Sequence, residues 1–168
     1  MSTVALSLIS PTSERADAPR HEHPLLAAAR HQARVANLPF AGSVTPQQAW
    51  QLVEAGAAQL VDVRSPEEVK FVGRVPDTQN VPWASGTALN RNPRFLKELE
   101  TRAGGKDAVL LLLCRSGKRS AEAAAAATRA GFDAVFNVLE GFEGELDAHQ
   151  QRGAAGGWRH RQLPWQQD

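Results

Sequence analysis

The 168-residue chain contains a single cysteine, Cys114. That excludes an intramolecular disulfide and any multi-cysteine zinc or iron–sulfur site, and it leaves no resolving thiol in the chain. An excess of one charge sign is also missing. Lys and Arg total 19, Asp and Glu 18, for a formal net charge of +1. No basic surplus marks a nucleic acid or a membrane surface as partner, and neither is expected. No apolar run approaches the roughly 20 residues needed to cross a bilayer. Residues 4–9 are apolar, but Ser7 interrupts them and no Lys or Arg precedes them, which makes a poor secretory signal. A lone reactive thiol suits a reducing compartment, so a cytoplasmic location is expected. His21, Glu22, His23 and His31 have the composition of a metal cluster, but their region offers no rigid frame, and no metal site is expected.

What is present is regular punctuation. Residues 1–23 are rich in Ser, Thr, Pro, Arg and His without a period, and read as a mobile tail. Pro24 opens an Ala- and Leu-rich helix over residues 24–38. Residues 1–42 are therefore expected to be an N-terminal extension, partly disordered with one helix, and residues 43–168 the domain proper. Thr45-Pro46-Gln47-Gln48 and Ser65-Pro66-Glu67-Glu68 are two capping-box starts. Strands are expected at residues 60–63, 109–113 and 134–139, with a brief one at 80–82. Helices are expected from Asn92-Pro93 to Gly104, over residues 121–130, and over 142–149. Strands and helices alternate, which argues an α/β fold with a central, mainly parallel sheet and helices on both faces. Ligands in such sheets sit beyond the carboxyl ends of the strands.

Cys114 stands at that place. It follows the apolar run Val109-Leu110-Leu111-Leu112-Leu113, which fits a central strand buried on both faces. It precedes Arg115-Ser116-Gly117-Lys118-Arg119-Ser120 and a small-residue helix. A thiol at a strand-to-helix turn, among cations and free backbone N–H groups, ionises readily. The same groups form an anion cradle. Gly117 lets the loop curl, and Ser116 and Ser120 offer hydroxyls. The contrary reading, a small buried hydrophobe, is opposed by the three adjacent cations.

The chain resembles the rhodanese family of sulfurtransferases over roughly residues 43–165. Four segments carry the resemblance: Leu60-Val61-Asp62-Val63-Arg64-Ser65-Pro66-Glu67-Glu68; Gly73-Arg74-Val75-Pro76 with Asn80-Val81-Pro82; the loop Cys114 to Ser120; and Gly141 with Gly157-Trp158 and Leu163-Pro164. The resemblance implies a three-layer rhodanese-like domain. It also implies sulfur transfer from thiosulfate or a similar anionic donor through a persulfide on Cys114, to an external thiol, cyanide or a protein. Arg115, Ser116, Gly117, Lys118, Arg119 and Ser120 would form the anion-binding loop. No metal or organic cofactor is implied. Arg74, Asp77 and Phe142 depart from the family pattern, and residues 143–156 look like added length.

Two other functions compete with this one. The first is a binding or sulfur-relay module with little free turnover, since every outcome depends on an external acceptor. The second is a cysteine-dependent phosphatase, whose loop wraps a phosphate with an arginine. Here Ser120 occupies that arginine's place and Arg119 comes one residue too early, so the ring is tight for phosphoryl transfer. Asp62 and Arg64 are supporting candidates, read more readily as a turn cap and ion pair than as catalysts. Trp83 is a candidate for the pocket mouth. Trp50, Trp158 and Trp165 read as packing.

Overall fold

A computed structural model describes residues 21–168. The tail expected over residues 1–23 lies outside the described residues up to residue 20. His23 caps the first helix, its Nδ1 accepting from the Leu25 N–H at 3.2 Å.

Helix α1, Pro24–Ala36, starts on its proline and ends at Asn37 in the left-handed conformation (φ 54°). Its buried residues Leu26, Ala29 and Ala33 recur at helical spacing and lie on strand β1, Gly42–Val44. The two approach closely: a Cβ on Gly42 would stand 2.7 Å from the Ala29 carbonyl oxygen. Helix α2, Pro46–Glu54, carries the full Thr45/Gln48 capping box, and strand β2 is Gln59–Asp62. Helix α3, Pro66–Val72, carries the Ser65/Glu68 box. Strand β3, Gln79–Asn80, follows, then an antiparallel pair, β4 (Ala84–Ser85) and β5 (Asn90–Arg91). Helix α4, Phe95–Ala103, stops at left-handed Gly104. Strand β6, Val109–Leu113, helix α5, Lys118–Arg129, and strand β7, Ala134–Val138, complete the elements.

Five strands form one sheet in the order β1-β7-β6-β2-β3, every pairing parallel. The fold class is therefore the expected one, a mainly parallel α/β sheet between two helical layers. Strand alternation divides the core. Leu110, Leu112 and Cys114 face the layer of α4 and α5, together with Phe95, Leu99, Ala123, Ala124 and Ala127. Leu111 and Leu113 face α1 and α2, with Leu26, Ala29, Ala49 and Leu52. Each fully buried leucine of β6 contributes about 1.5–3 kcal/mol. The alanine face of α5 lets that helix lie close on the sheet, which fixes the turn joining it to β6.

Two expectations fail, and three short strands are new. The helix expected over residues 142–149 is absent; turns and irregular chain occupy that span. Gly141 and Gly144 are left-handed (φ 66° and 82°), and the N–H groups of Phe142, Glu143 and Gly144 bond to the carbonyls of Cys114 and Arg115 instead of closing helical turns. Helix α5 starts at Lys118, three residues before the expected Ala121, because Gly117 serves as its N-cap at φ 96°. Strand β1 and the β4–β5 pair were not expected at all.

Candidate active site

The site is built on the turn from β6 to α5, at the carboxyl end of the sheet. On its outer side the turn is held by its carbonyls. Phe142 N–H donates to Cys114 O at 2.8 Å, and the N–H groups of Glu143 and Gly144 donate to Arg115 O at 2.9 and 3.2 Å. Only glycine fits at 141, since a Cβ there would sit 2.4 Å from the Arg115 carbonyl carbon. With the carbonyls bound outside, donors face the sulfur. Gly117 N–H donates to Cys114 Sγ at 3.1 Å, and the Ser120 hydroxyl lies 3.2 Å from it. Both belong to the N-terminal end of the twelve-residue helix α5, whose partial positive charge favours an anion there. Ser120 Oγ is also 2.6 Å from Asn137 Oδ1 on β7.

The sulfur is covered. Cys114 and Ser120 have no exposed surface, and Cys114 touches the apolar α4/α5 core on one side and the polar turn on the other. Beside the loop opens a cleft of about 370 Å³ lined by Ser65, Glu67, Glu68, Gly86, Thr87, Leu89 and Arg115.

The three loop cations take three different positions. Arg119 turns to Glu68, donating through both terminal nitrogens at 2.8 and 2.7 Å. Burial pushes Glu68 upward, but the bonds from Arg119 and Ser65 and the Arg119 charge outweigh it and hold the carboxyl at about 2. The bond to Glu68 is also the chief cause that raises Arg119. Lys118 is exposed and points towards Glu145 at 3.9 Å. Arg115 lines the cleft, makes no ion pair among the described residues, and has a buried Nε without a hydrogen-bond partner. Of the three loop cations expected around an anion, Arg119 is thus held by Glu68, Lys118 is exposed, and Arg115 is the one that lines the cleft. Ser116 lies on the same turn, half-buried.

Asp62 and Arg64 form a buried ion pair, Nη2 to Oδ2 at 2.6 Å and Nε to Oδ1 at 3.0 Å, while the Arg64 N–H caps Oδ1 at 3.0 Å. Arg64 also donates to Gly73 O at 2.8 Å and lies 4.2 Å over the Phe142 ring. The pair knits β2, the end of α3 and the turn after β7 together. No hydrogen bond joins the pair to the sulfur among the described residues, and neither side chain is among those lining the cleft. Trp83 is not at the pocket mouth. It is buried, edge-on to Phe95 at 5.0 Å and covered by Arg91 at 3.5 Å. The β4–β5 pair folds over it and takes it into the core.

A family model described as "Rhodanese-like domain" matches residues 45–147. The chain belongs to the rhodanese-like family. An uncharacterized protein of Rickettsia prowazekii (strain Madrid E), RP600, is 37% identical over 113 residues, 65% of this chain and 83% of that protein. A chloroplastic thiosulfate sulfurtransferase 16 of Arabidopsis thaliana is 33% identical over 102 residues, 60% of this chain and 82% of that one. Among solved structures, the crystal structure of Rv0390 from M. tuberculosis matches with a TM-score of 0.66 and 44% identity, over 77% of this chain and 99% of that one.

Within this rhodanese-like domain, sequence reasoning missed two residues near the loop. Glu68 read only as a capping residue, and its partner Arg119 lies 51 positions away. Asn137 was passed over as part of a strand. A signal existed, since it is the one polar residue in Ala134-Val135-Phe136-Asn137-Val138, and a buried amide needs a partner. Its strand parity matches Val135, which faces the α5 side. The added length after Phe142 folds back beside the loop, with Arg152 bonded to Gly144 O at 2.7 Å.

Proposed function

We propose that this rhodanese-like protein is a sulfurtransferase that moves a sulfane sulfur from thiosulfate or a similar anionic donor to a thiol or cyanide. The reading rests above all on Sγ of Cys114 receiving the Gly117 N–H and standing within bonding distance of the Ser120 hydroxyl at the N-terminus of α5. Those groups stabilise a sulfur anion, whether thiolate or persulfide. The thiolate attacks the outer sulfur of the donor. A new S–S bond forms, the donor's S–S bond breaks, and sulfite leaves with the electron pair. The acceptor then attacks the outer sulfur of the persulfide, takes it as thiocyanate or a new persulfide, and returns the Cys114 thiolate. Arg115, which lines the cleft, would bind the donor's oxyanion. The chemistry needs no cofactor. No described helix is long and apolar enough to cross a membrane, and a reducing cytoplasm is the setting we assign.

The test is intact mass after thiosulfate. Wild type should gain one sulfur atom and lose it to cyanide, and Cys114→Ser should gain none. A wild type that stays unmodified under every donor tried would remove the reading. One observation favours a relay or binding module instead: Cys114 has no exposed surface. If only a partner protein uncovers the sulfur, loading from small donors will be slight and will rise when the acceptor protein is added. The phosphatase reading loses support from Arg119, which is one residue early and is held by Glu68.

A further inference from the structure

Ser120 has one hydroxyl proton and two neighbours that can accept it. Asn137 Oδ1 is at 2.6 Å and Cys114 Sγ at 3.2 Å. All three residues are more than nine-tenths buried, so water cannot easily supply a missing partner. With the amide oxygen towards Ser120, the proton goes to Asn137. The hydroxyl lone pairs then face sulfur, an arrangement that suits a protonated thiol donating to Oγ. Turning the amide end for end presents Nδ2–H to Ser120 Oγ. The hydroxyl proton then points at Sγ, which suits a thiolate or persulfide. A neutral amide can do both without bringing a charge.

We infer that Asn137 is a positioning residue that acts through Ser120, reversing its amide to direct the hydroxyl proton onto Cys114 Sγ when the sulfur becomes an anion. The inference rests on the sulfurtransferase reading for its purpose but not for its test. Ionisation sends the thiol proton to solvent, and the hydroxyl and amide only reorient, so no bond other than S–H is broken. Charged residues on the loop and on the elements packed around it include Arg115, Lys118, Arg119 and Glu122, Glu67, Glu68 and Lys70 on α3, Asp62 at the end of β2 with Arg64 just after it, Lys97, Glu98, Glu100 and Arg102 on α4, and Glu140 and Glu143 after β7. Substitution at 137 changes none of them.

The chain suits a direct titration. With one cysteine and no tyrosine, the ultraviolet thiolate absorbance, corrected with Cys114→Ser, reports Cys114 alone. Asn137→Asp, as the carboxylate, can only accept from Ser120 and should raise the Cys114 midpoint by about one pH unit or more. Part of that rise is the added charge acting through space, so the same substitution is made in Ser120→Ala. The proton-direction effect predicts that the rise falls by at least half in that background. Equal rises in both backgrounds, or no rise in a folded Asn137→Asp, overturn the inference. Thermal unfolding checks that each variant is folded, and Asn137→Gln, which keeps both amide ends, should stay nearer wild type than Asn137→Asp; a Gln variant shifted as far as Asp counts against the inference. A wild type that titrates as described but takes no sulfur from thiosulfate would sink the sulfurtransferase reading and leave this one standing.

Discussion

Glu68 on α3 and Arg119 on α5 meet through two parallel hydrogen bonds of 2.7 and 2.8 Å, tying the helix after β2 to the helix after the cysteine loop. The Ser65 N–H donates to the same carboxylate at 3.0 Å. Together these bonds hold Glu68 at about 2, below its ordinary 4.5. A carboxyl lowered on folding adds stability that is complete above its unfolded value and is lost as pH falls through its folded one. The window here runs from about 4.5 down to about 2. Glu68→Gln is expected to lose on the order of 1–2 kcal/mol at pH 7, less than the full shift because solvent reaches part of the pair. Urea unfolding should show the gap between wild type and variant narrowing from pH 5 to pH 3. A gap that stays constant with pH would mean that the ion pair contributes nothing.

The Asp62–Arg64 pair calls for a different test because it is sealed from water. Arg64 Nη1 already lacks a partner. Removing Asp62 leaves a guanidinium buried without a counter-charge, so Asp62→Ala should cost about 3–5 kcal/mol. Replacing both residues with apolar ones of similar size, as in Asp62→Leu with Arg64→Met, should recover most of that loss. Urea unfolding of the two variants decides it. A double variant no better than Asp62→Ala would show that the hydrogen bond to Gly73 and the contact with the Phe142 ring matter more than the charge balance.

Local signals were legible and long-range ones were not. The capping boxes at Thr45 and Ser65 and the stop at Gly104 formed as read, because each is decided within four residues. The run from Val109 to Leu113 became the central strand for the reason read, burial on both faces. Strand β1 has only three residues, and its existence depends on pairing with β7, more than ninety positions on. The pairs Glu68–Arg119 and Ser120–Asn137 also arise from tertiary closure and leave no periodic trace. The mistaken helix after Phe142 had adequate composition. What defeated it was the competing bonds to the loop carbonyls.

Those bonds give a prediction at Gly141. Its φ of 66° and its closeness to Arg115 mean that any side chain must displace the loop backbone. Gly141→Ala should lose about 1–3 kcal/mol and load sulfur more slowly, since the turn that aims Gly117 N–H at sulfur is disturbed. Gly153 is the control. It has a similar positive φ of 99° but open space around its Cβ position. Gly153→Ala should lose on the order of 1 kcal/mol with unchanged loading. Stopped-flow loading alongside thermal melts separates the cases. Equal loading rates in both variants would contradict the role given to the bonds that hold the Cys114 and Arg115 carbonyls.

Arg115 and Lys118 are both loop cations, but their surroundings differ. Lys118 is exposed, and its only ion-pair neighbour among the described residues, Glu145, stands at 3.9 Å. A charge in that position is screened by water and salt. Arg115 lines the cleft with a buried Nε that has no partner. A bond from it to an oxyanion would therefore replace an unmet donor, not an existing contact. Arg115→Met should raise KM for thiosulfate by about 10- to 100-fold, the worth of one charge-assisted hydrogen bond. It should leave stability within about 0.5 kcal/mol, since no bond in the free protein is lost. Lys118→Met should change KM by less than about threefold, and that small effect should vanish at high salt. Steady-state kinetics at low and high salt test the ordering. If Lys118→Met proved the more damaging substitution, the anion would be entering from the solvent face of α5 and not through the cleft beside Glu68.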